Sequence, residues 1–191
     1  MTPKILAFAG STREGSFNKK LIRVAADALR AAGAEVTLLD LRDLALPMYD
    51  GDVEAEIKLP EGGRRLKDLM IAHHGFIISS PEYNSSISGV LKNAIDWASR
   101  PEAGRPPLEC FTDKTAAIIA ASPGLLGGLR GLITLRLILG NIGTYVIPKQ
   151  LTVPKAAEAF DESGKLKDPK QQGTIEAVAK TLVQFTIKFN A

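Results

Sequence analysis

Three short stretches hold most of the residues that could grip a ligand. The first is Gly10-Ser11-Thr12-Arg13-Glu14-Gly15-Ser16-Phe17-Asn18. It sets hydroxyls at Ser11, Thr12 and Ser16, a guanidinium at Arg13 and an amide at Asn18 just ahead of a helical pattern. A helix start attracts anions through its unpaired N–H groups and its dipole, so this reads as a phosphate cradle. Helix capping by Ser16 is the simpler account, but it explains one residue and not the cluster. The dinucleotide pattern G-x-G-x-x-G fails at Thr12. Gly10 and Gly15 keep Walker spacing, yet Ser16 stands where that motif needs Lys. Asp40 could mimic a ribose-binding acid; without the glycine pattern it is better read as a turn residue. A monophosphate fits the loop better than a pyrophosphate.

The second stretch is Ser80-Pro81-Glu82-Tyr83-Asn84-Ser85. Pro81 stiffens the turn, Tyr83 offers a flat face, and backbone groups of Glu82 to Asn84 can meet the polar edge of a ring. The plainer alternative is a hairpin-like turn with a surface Tyr, in which Ser85, Ser86 or Ser88 caps the next helix. The third, Ala121-Ser122-Pro123-Gly124 ahead of Gly127-Gly128, has little side chain and permits close backbone approach. Other chemistries find no support. His73 and His74 end a helix, where cations are favoured, and no third metal ligand lies near them in sequence. No Ser-His-acid set with a nucleophile elbow is present. Cys110 is the single cysteine, without a catalytic His/Asn context, and reads as an inert thiol of a reducing compartment.

Buried strands and helices must carry these loops. Lys4–Ala9, Glu35–Leu39, Gly75–Ser80, Lys114–Ala121 and part of Gly143–Leu151 read as strands, most of them continuously apolar. Helical periodicity marks Phe17–Ala32, Arg64–His73, Ser88–Ser99, Leu125–Leu139 and Thr174–Phe189, with Gly33 as a C-terminal cap. Segments 40–63 and 155–173 read as irregular. Strands without polar alternation are buried on both faces, so a doubly wound α/β domain spanning 1–191 is expected, its parallel sheet covered by helices on both sides. Ligands in such folds bind beyond the carboxyl ends of the strands, where all three stretches lie. The chain has 191 residues and a net charge of +3, with cations spread along it rather than gathered in a nucleic-acid-binding stripe. No run of 18 apolar residues exists and the N-terminus lacks a signal-peptide pattern, so a cytoplasmic protein without membrane attachment is expected.

The motifs resemble those of a known family. GSTREGSFN resembles the G-S-x-R-x-x-S-x-N phosphate loop of NADPH-dependent FMN reductases. PEYNSSISGVLKNAIDWASR resembles their P-E-Y-N-x-S-x-x-G-x-L-K-N-A-I-D-W segment almost throughout, and ASPGLLGGLRG the third loop of the chromate and quinone reductase branch. The resemblance implies a three-layer flavodoxin-like fold with five strands in the order 2-1-3-4-5. It implies bound FMN, NADPH or NADH as donor, and quinones, azo compounds, chromate or free flavin as small-molecule acceptor. Carried across, Ser11, Arg13, Ser16 and Asn18 would hold the phosphate, with Thr12 and Phe17 in the same loop. Pro81, Glu82, Tyr83, Asn84 and Ser85 would line the isoalloxazine, and Ser122, Pro123, Gly124 and Gly127 would approach from the other side. Relatives are commonly homodimers or homotetramers, and the apolar helix Leu125–Leu139 is a candidate contact, though a core helix reads equally well. The flavin would carry the chemistry, so no catalytic side chain is required. Two alternatives remain: an electron carrier without NAD(P)H turnover, which the positive net charge disfavours, and a non-redox module for a phosphorylated ligand.

Overall fold

A computed structural model describes residues 1–191. The first strand, β1 (Lys4–Ala9), splits its side chains between two cores. Ile5, Ala7 and Ala9 join one and Leu6 and Phe8 the other, the period-two alternation of a strand buried on both faces. Helix α1 (Phe17–Ala31) lays Leu21, Ala25 and Leu29 on the first core. It ends where Gly33, at φ +94°, turns the chain back and Ala34 N–H bonds to Leu29 O. β2 (Glu35–Leu39) then pairs with β1, Ile5 opposite Val36.

Segment 40–63 is more ordered than expected. It holds a 3₁₀ turn (Leu41–Leu44) and a short helix α2 (Gly51–Ile57) whose cap is Asp50. No residue of α2 is buried, so it leaves no apolar stripe for a pattern to reveal. α3 (Glu61–Ala72) leads to β3 (Gly75–Ser79), which pairs with the far side of β1. A two-stranded hairpin follows, β4 (Glu82–Tyr83) against β5 (Ser86–Ile87), and then α4 (Gly89–Ala98). β6 (Thr115–Ala121) is buried along its whole length beside β3.

Helix α5 starts at Leu129, not Leu125, and runs to Asn141. Gly127 and Gly128 hold φ of +61° and +96° just before it, so residues 125–128 form a turn. The fifth strand is broken into β7 (Tyr145–Val146) and β8 (Leu151–Val153), both parallel to β6. Pro148 falls in the gap. Arg136 of α5 spans it, donating to the carbonyls of Val146 and Ile147 and to Gln150 Oε1. α6 (Pro169–Phe189) begins five residues earlier than periodicity suggests, because Asp168 caps it and Pro169 opens its first turn.

The sheet order is β2-β1-β3-β6-β7, which is the expected flavodoxin-like 2-1-3-4-5 arrangement. α1 and α6 cover one face, and α3, α4 and α5 the other. The strand order reverses between β1 and β3, so the loops leaving their carboxyl ends meet there.

Candidate functional site

A cleft of about 230 Å³ opens at that switch point. One wall is the loop after β1, with Ser11, Arg13, Ser16, Phe17 and Asn18. The second is Pro81, Glu82 and Tyr83, and the third is Ala121, Ser122 and Pro123. Residues from all three candidate stretches therefore meet in one concavity.

The first wall presents hydrogen-bond donors that the protein leaves unpaired. Ser16 occupies the N-cap position of α1 and is only 3% exposed, yet its side chain makes no capping bond. The backbone N–H groups of Phe17, Asn18 and Lys19 have no acceptor in the protein, as expected at a helix start. Arg13 has no carboxylate partner; its guanidinium lies 5.7 Å from the centre of the Phe17 ring. Ser11 Oγ accepts a 3.3 Å bond from Arg13 N–H, which bends the loop around the cleft. A serine hydroxyl with no protein partner at the cleft surface, free amides and an unpaired guanidinium are a donor set suited to a phosphate monoester.

Asn18 lines the cleft, but its carboxamide is engaged elsewhere. Oδ1 accepts from Ser79 Oγ at 2.9 Å and from Ala121 N at 3.0 Å, and Nδ2 donates to Ala121 O at 2.9 Å. The side chain braces the ends of β3 and β6 against the start of α1. What it turns to an anion is its backbone N–H.

Glu82 is similarly committed. Its carboxylate turns from the cleft to α5, where Oε2 accepts from the N–H groups of Arg130 (2.9 Å) and Gly131 (3.1 Å). Oε1 accepts from the Arg130 guanidinium. Burial raises its pKa, but the Gly131 N–H and Arg130 outweigh that and hold it below the usual 4.5. Tyr83 is well exposed, and Asn84 and Ser85 form the hairpin tip with φ of +51° and +65°. The hairpin-like turn is thus present, and Ser88 is the serine that caps α4, accepting from Leu91 N–H at 3.1 Å. Its hydroxyl also donates to Gly10 O at 2.6 Å, tying the second loop to the first.

Five expected residues stand outside the cleft lining. Asn84 and Ser85 are at the hairpin tip. Thr12 faces a separate hollow beside Arg42, Met48 and Val90. Gly124 lies in an exposed turn, its N–H 3.3 Å from Ser122 Oγ. Gly127 packs on β8: a Cβ there would sit 2.8 Å from Pro154 N.

Lys19 escaped notice in the sequence. It is 8% exposed, pairs with Asp40 at 2.6 Å and donates to Thr12 O at 3.3 Å. It ties the first loop to the end of β2. Asp40 also accepts from Arg42 N–H, so it is a turn residue with a second duty. Burial raises the Asp40 pKa, but Lys19 and the Arg42 N–H more than reverse this and leave it lowered.

Comparison with known proteins identifies the family. The family model for NADPH-dependent FMN reductase matches residues 3–158. An NAD(P)H-dependent FMN reductase of Pseudomonas aeruginosa is 36% identical over 180 residues, covering 94% of this chain and 92% of the relative. A quinone reductase of Pseudomonas putida is 32% identical over 166 residues, covering 86% and 84%. Among solved structures, the flavoenzyme NAD(P)H:(acceptor) oxidoreductase FerB of Paracoccus denitrificans superposes with a TM-score of 0.80 at 29% identity, covering 98% and 99%. The chain belongs to the NADPH-dependent FMN reductase family.

Proposed function

We propose that this protein is an FMN-dependent NAD(P)H oxidoreductase that passes electrons to quinones and related small acceptors. The observation that carries the reading is the Ser16 hydroxyl at the cleft. It sits at the head of α1 without a partner, beside free N–H groups and an unpaired arginine. Ser11, Arg13, Ser16 and the amides of Phe17 and Asn18 hold the FMN phosphate. The hairpin backbone from Pro81 to Tyr83 would hold the polar edge of the ring, and Ser122 and Pro123 would close the opposite side.

Bound FMN supplies hydride acceptance from NAD(P)H and electron delivery to the acceptor. The chain's task is then to bind and orient, and no side chain in the cleft has to act as a general base. An open cleft suits a broad acceptor range: quinones, as the curated relatives' names indicate, with chromate, azo compounds and free flavin as further candidates. The whole chain acts as one flavin-binding unit. We also place it in the cytoplasm. Its one cysteine is buried and has no second cysteine to pair with, so the chain does not call for an oxidising compartment. No helix is long and apolar enough to cross a membrane. Association into a homodimer or homotetramer through α5 is part of the same proposal.

The purified protein should absorb as a flavoprotein, or do so after FMN is added. It should oxidise NADPH or NADH in the presence of quinones, chromate, an azo dye or free FMN, and the two donors are compared directly. Parallel initial-rate lines are expected if donor and acceptor use the same open face in turn. A colourless protein that takes up no FMN refutes the proposal.

A further inference from the structure

The hairpin β4–β5 cannot hold its own position. Two paired strands of two residues each are too few for independent stability. Its turn residues, Asn84 and Ser85, both adopt positive φ, which Asn tolerates but which is unfavourable for Ser85. Something outside the hairpin must hold it in place. Pro81 and Ser88 fix where the segment leaves β3 and enters α4. Only Glu82 ties the hairpin itself to α5 by hydrogen bonds.

The clamp answers a need on both sides. The N-cap of α5 is Gly128, which offers no side chain, so the second and third N–H groups of the helix would otherwise lack a partner. Glu82 Oε2 accepts from both, a capping role usually taken by the residue just before the helix. Its carboxylate is 8% exposed and is neutralised by Arg130. Gly131 lets the two elements close: a Cβ there would lie 3.1 Å from Ser86 O.

We propose that Glu82 is a positioning residue, fixing the flavin-facing hairpin at the height of the ring by capping α5 from a distance. This rests on the FMN reading above and adds a division of labour to it. The first loop grips the phosphate, whereas the Glu82 clamp sets the ring wall.

Riboflavin, which lacks the phosphate, separates the two. Apoprotein is titrated with FMN and with riboflavin, and the midpoint potential is measured at FMN saturation. Glu82→Ala is expected to weaken both ligands by the same factor, about tenfold, and to shift the potential. Glu82→Gln keeps an oxygen for the two N–H groups but sets its NH₂ against Arg130, so it should weaken both by about threefold. Arg13→Ala should weaken FMN and leave riboflavin unchanged. Wild-type affinities and potential in a folded Glu82→Ala protein, with only a lower melting temperature, overturn the proposal. If that variant does not fold, Glu82→Gln decides, and wild-type values there overturn it equally. A wild-type protein that binds no FMN instead overturns the functional reading beneath it.

Discussion

Two cations of the first loop show how residue type alone misleads. Arg13 and Lys19 both stand near the start of α1, and only Arg13 was read as a ligand. The structure supplies the reason for the difference: Lys19 is already paired with Asp40, while Arg13 has no acid. Replacing Arg13 by Ala should cost about 1.5–3 kcal/mol of FMN affinity, the worth of a hydrogen bond to a charged group. Fluorescence titration of the apoprotein measures this, and an unchanged affinity removes Arg13 from the site. Asn18 and Glu82 mislead in the opposite direction. Both have ligand-like side chains in ligand-like motifs, yet both are used up on protein partners 48 to 103 positions away. No local pattern can report such partners. The Glu82 clamp also has a pH signature. Its folded pKa lies below 4.5, so the unfolded chain takes up the proton first as pH falls. The stability it contributes is complete above about pH 4.5 and is lost as pH drops through the lower folded value. Thermal melts between pH 7 and 3 should therefore fall less steeply for Glu82→Gln than for wild type. Equal slopes would mean that the carboxylate is not clamped.

At the scale of elements, the continuous apolar runs of β1, β3 and β6 revealed a two-sided parallel sheet, because every residue in them from Ile5 on is buried. What escaped detection lacked such a stripe. α2 buries nothing, and β7 and β8 are too short and too interrupted to alternate. The hairpin carries a single buried apolar residue, Ile87, and is otherwise set by turn geometry and by a distant helix. The start of α5 was misplaced because Leu125 and Leu126 continue the apolar run, while the backbone at Gly127 and Gly128 has already left helical space. Gly128 then tests the element directly. Its φ is +96°, and a Cβ would approach Ala120 Cβ at 2.6 Å. Gly128→Ala should destabilise the protein by roughly 1–3 kcal/mol through backbone strain and overpacking. Because Arg130 and Gly131 follow within three residues, it should also disturb the Glu82 clamp and weaken riboflavin binding. A denaturant titration with unchanged midpoint would show that the turn has more freedom than its geometry implies.

For the whole molecule, α5 answers the choice between core helix and contact by being both. Leu132, Leu135 and Leu139 are buried, whereas Ile133 is 63% exposed and Leu137 is 74% exposed, one turn apart on the opposite face. Leu125, in the turn before α5, is also exposed, at 80%. Fully burying side chains of this size is worth about 1.5–3 kcal/mol each, enough for a few of them to favour association. A second copy of the chain is the partner we propose. The double variant Ile133→Glu, Leu137→Glu places charge on the exposed face without touching the buried one, so the fold should survive. Light scattering after gel filtration should show a dimer or tetramer for wild type and a monomer for the variant. A wild-type monomer, or a variant that still associates, removes α5 as the contact. The clamp gives the result a further use, since Glu82 binds the start of the same helix to the hairpin. If pairing of α5 steadies that start, the monomeric variant should bind riboflavin and FMN more weakly by the same factor, as Glu82→Ala does. If it binds both as tightly as wild type, each chain completes its own flavin site and association serves another end.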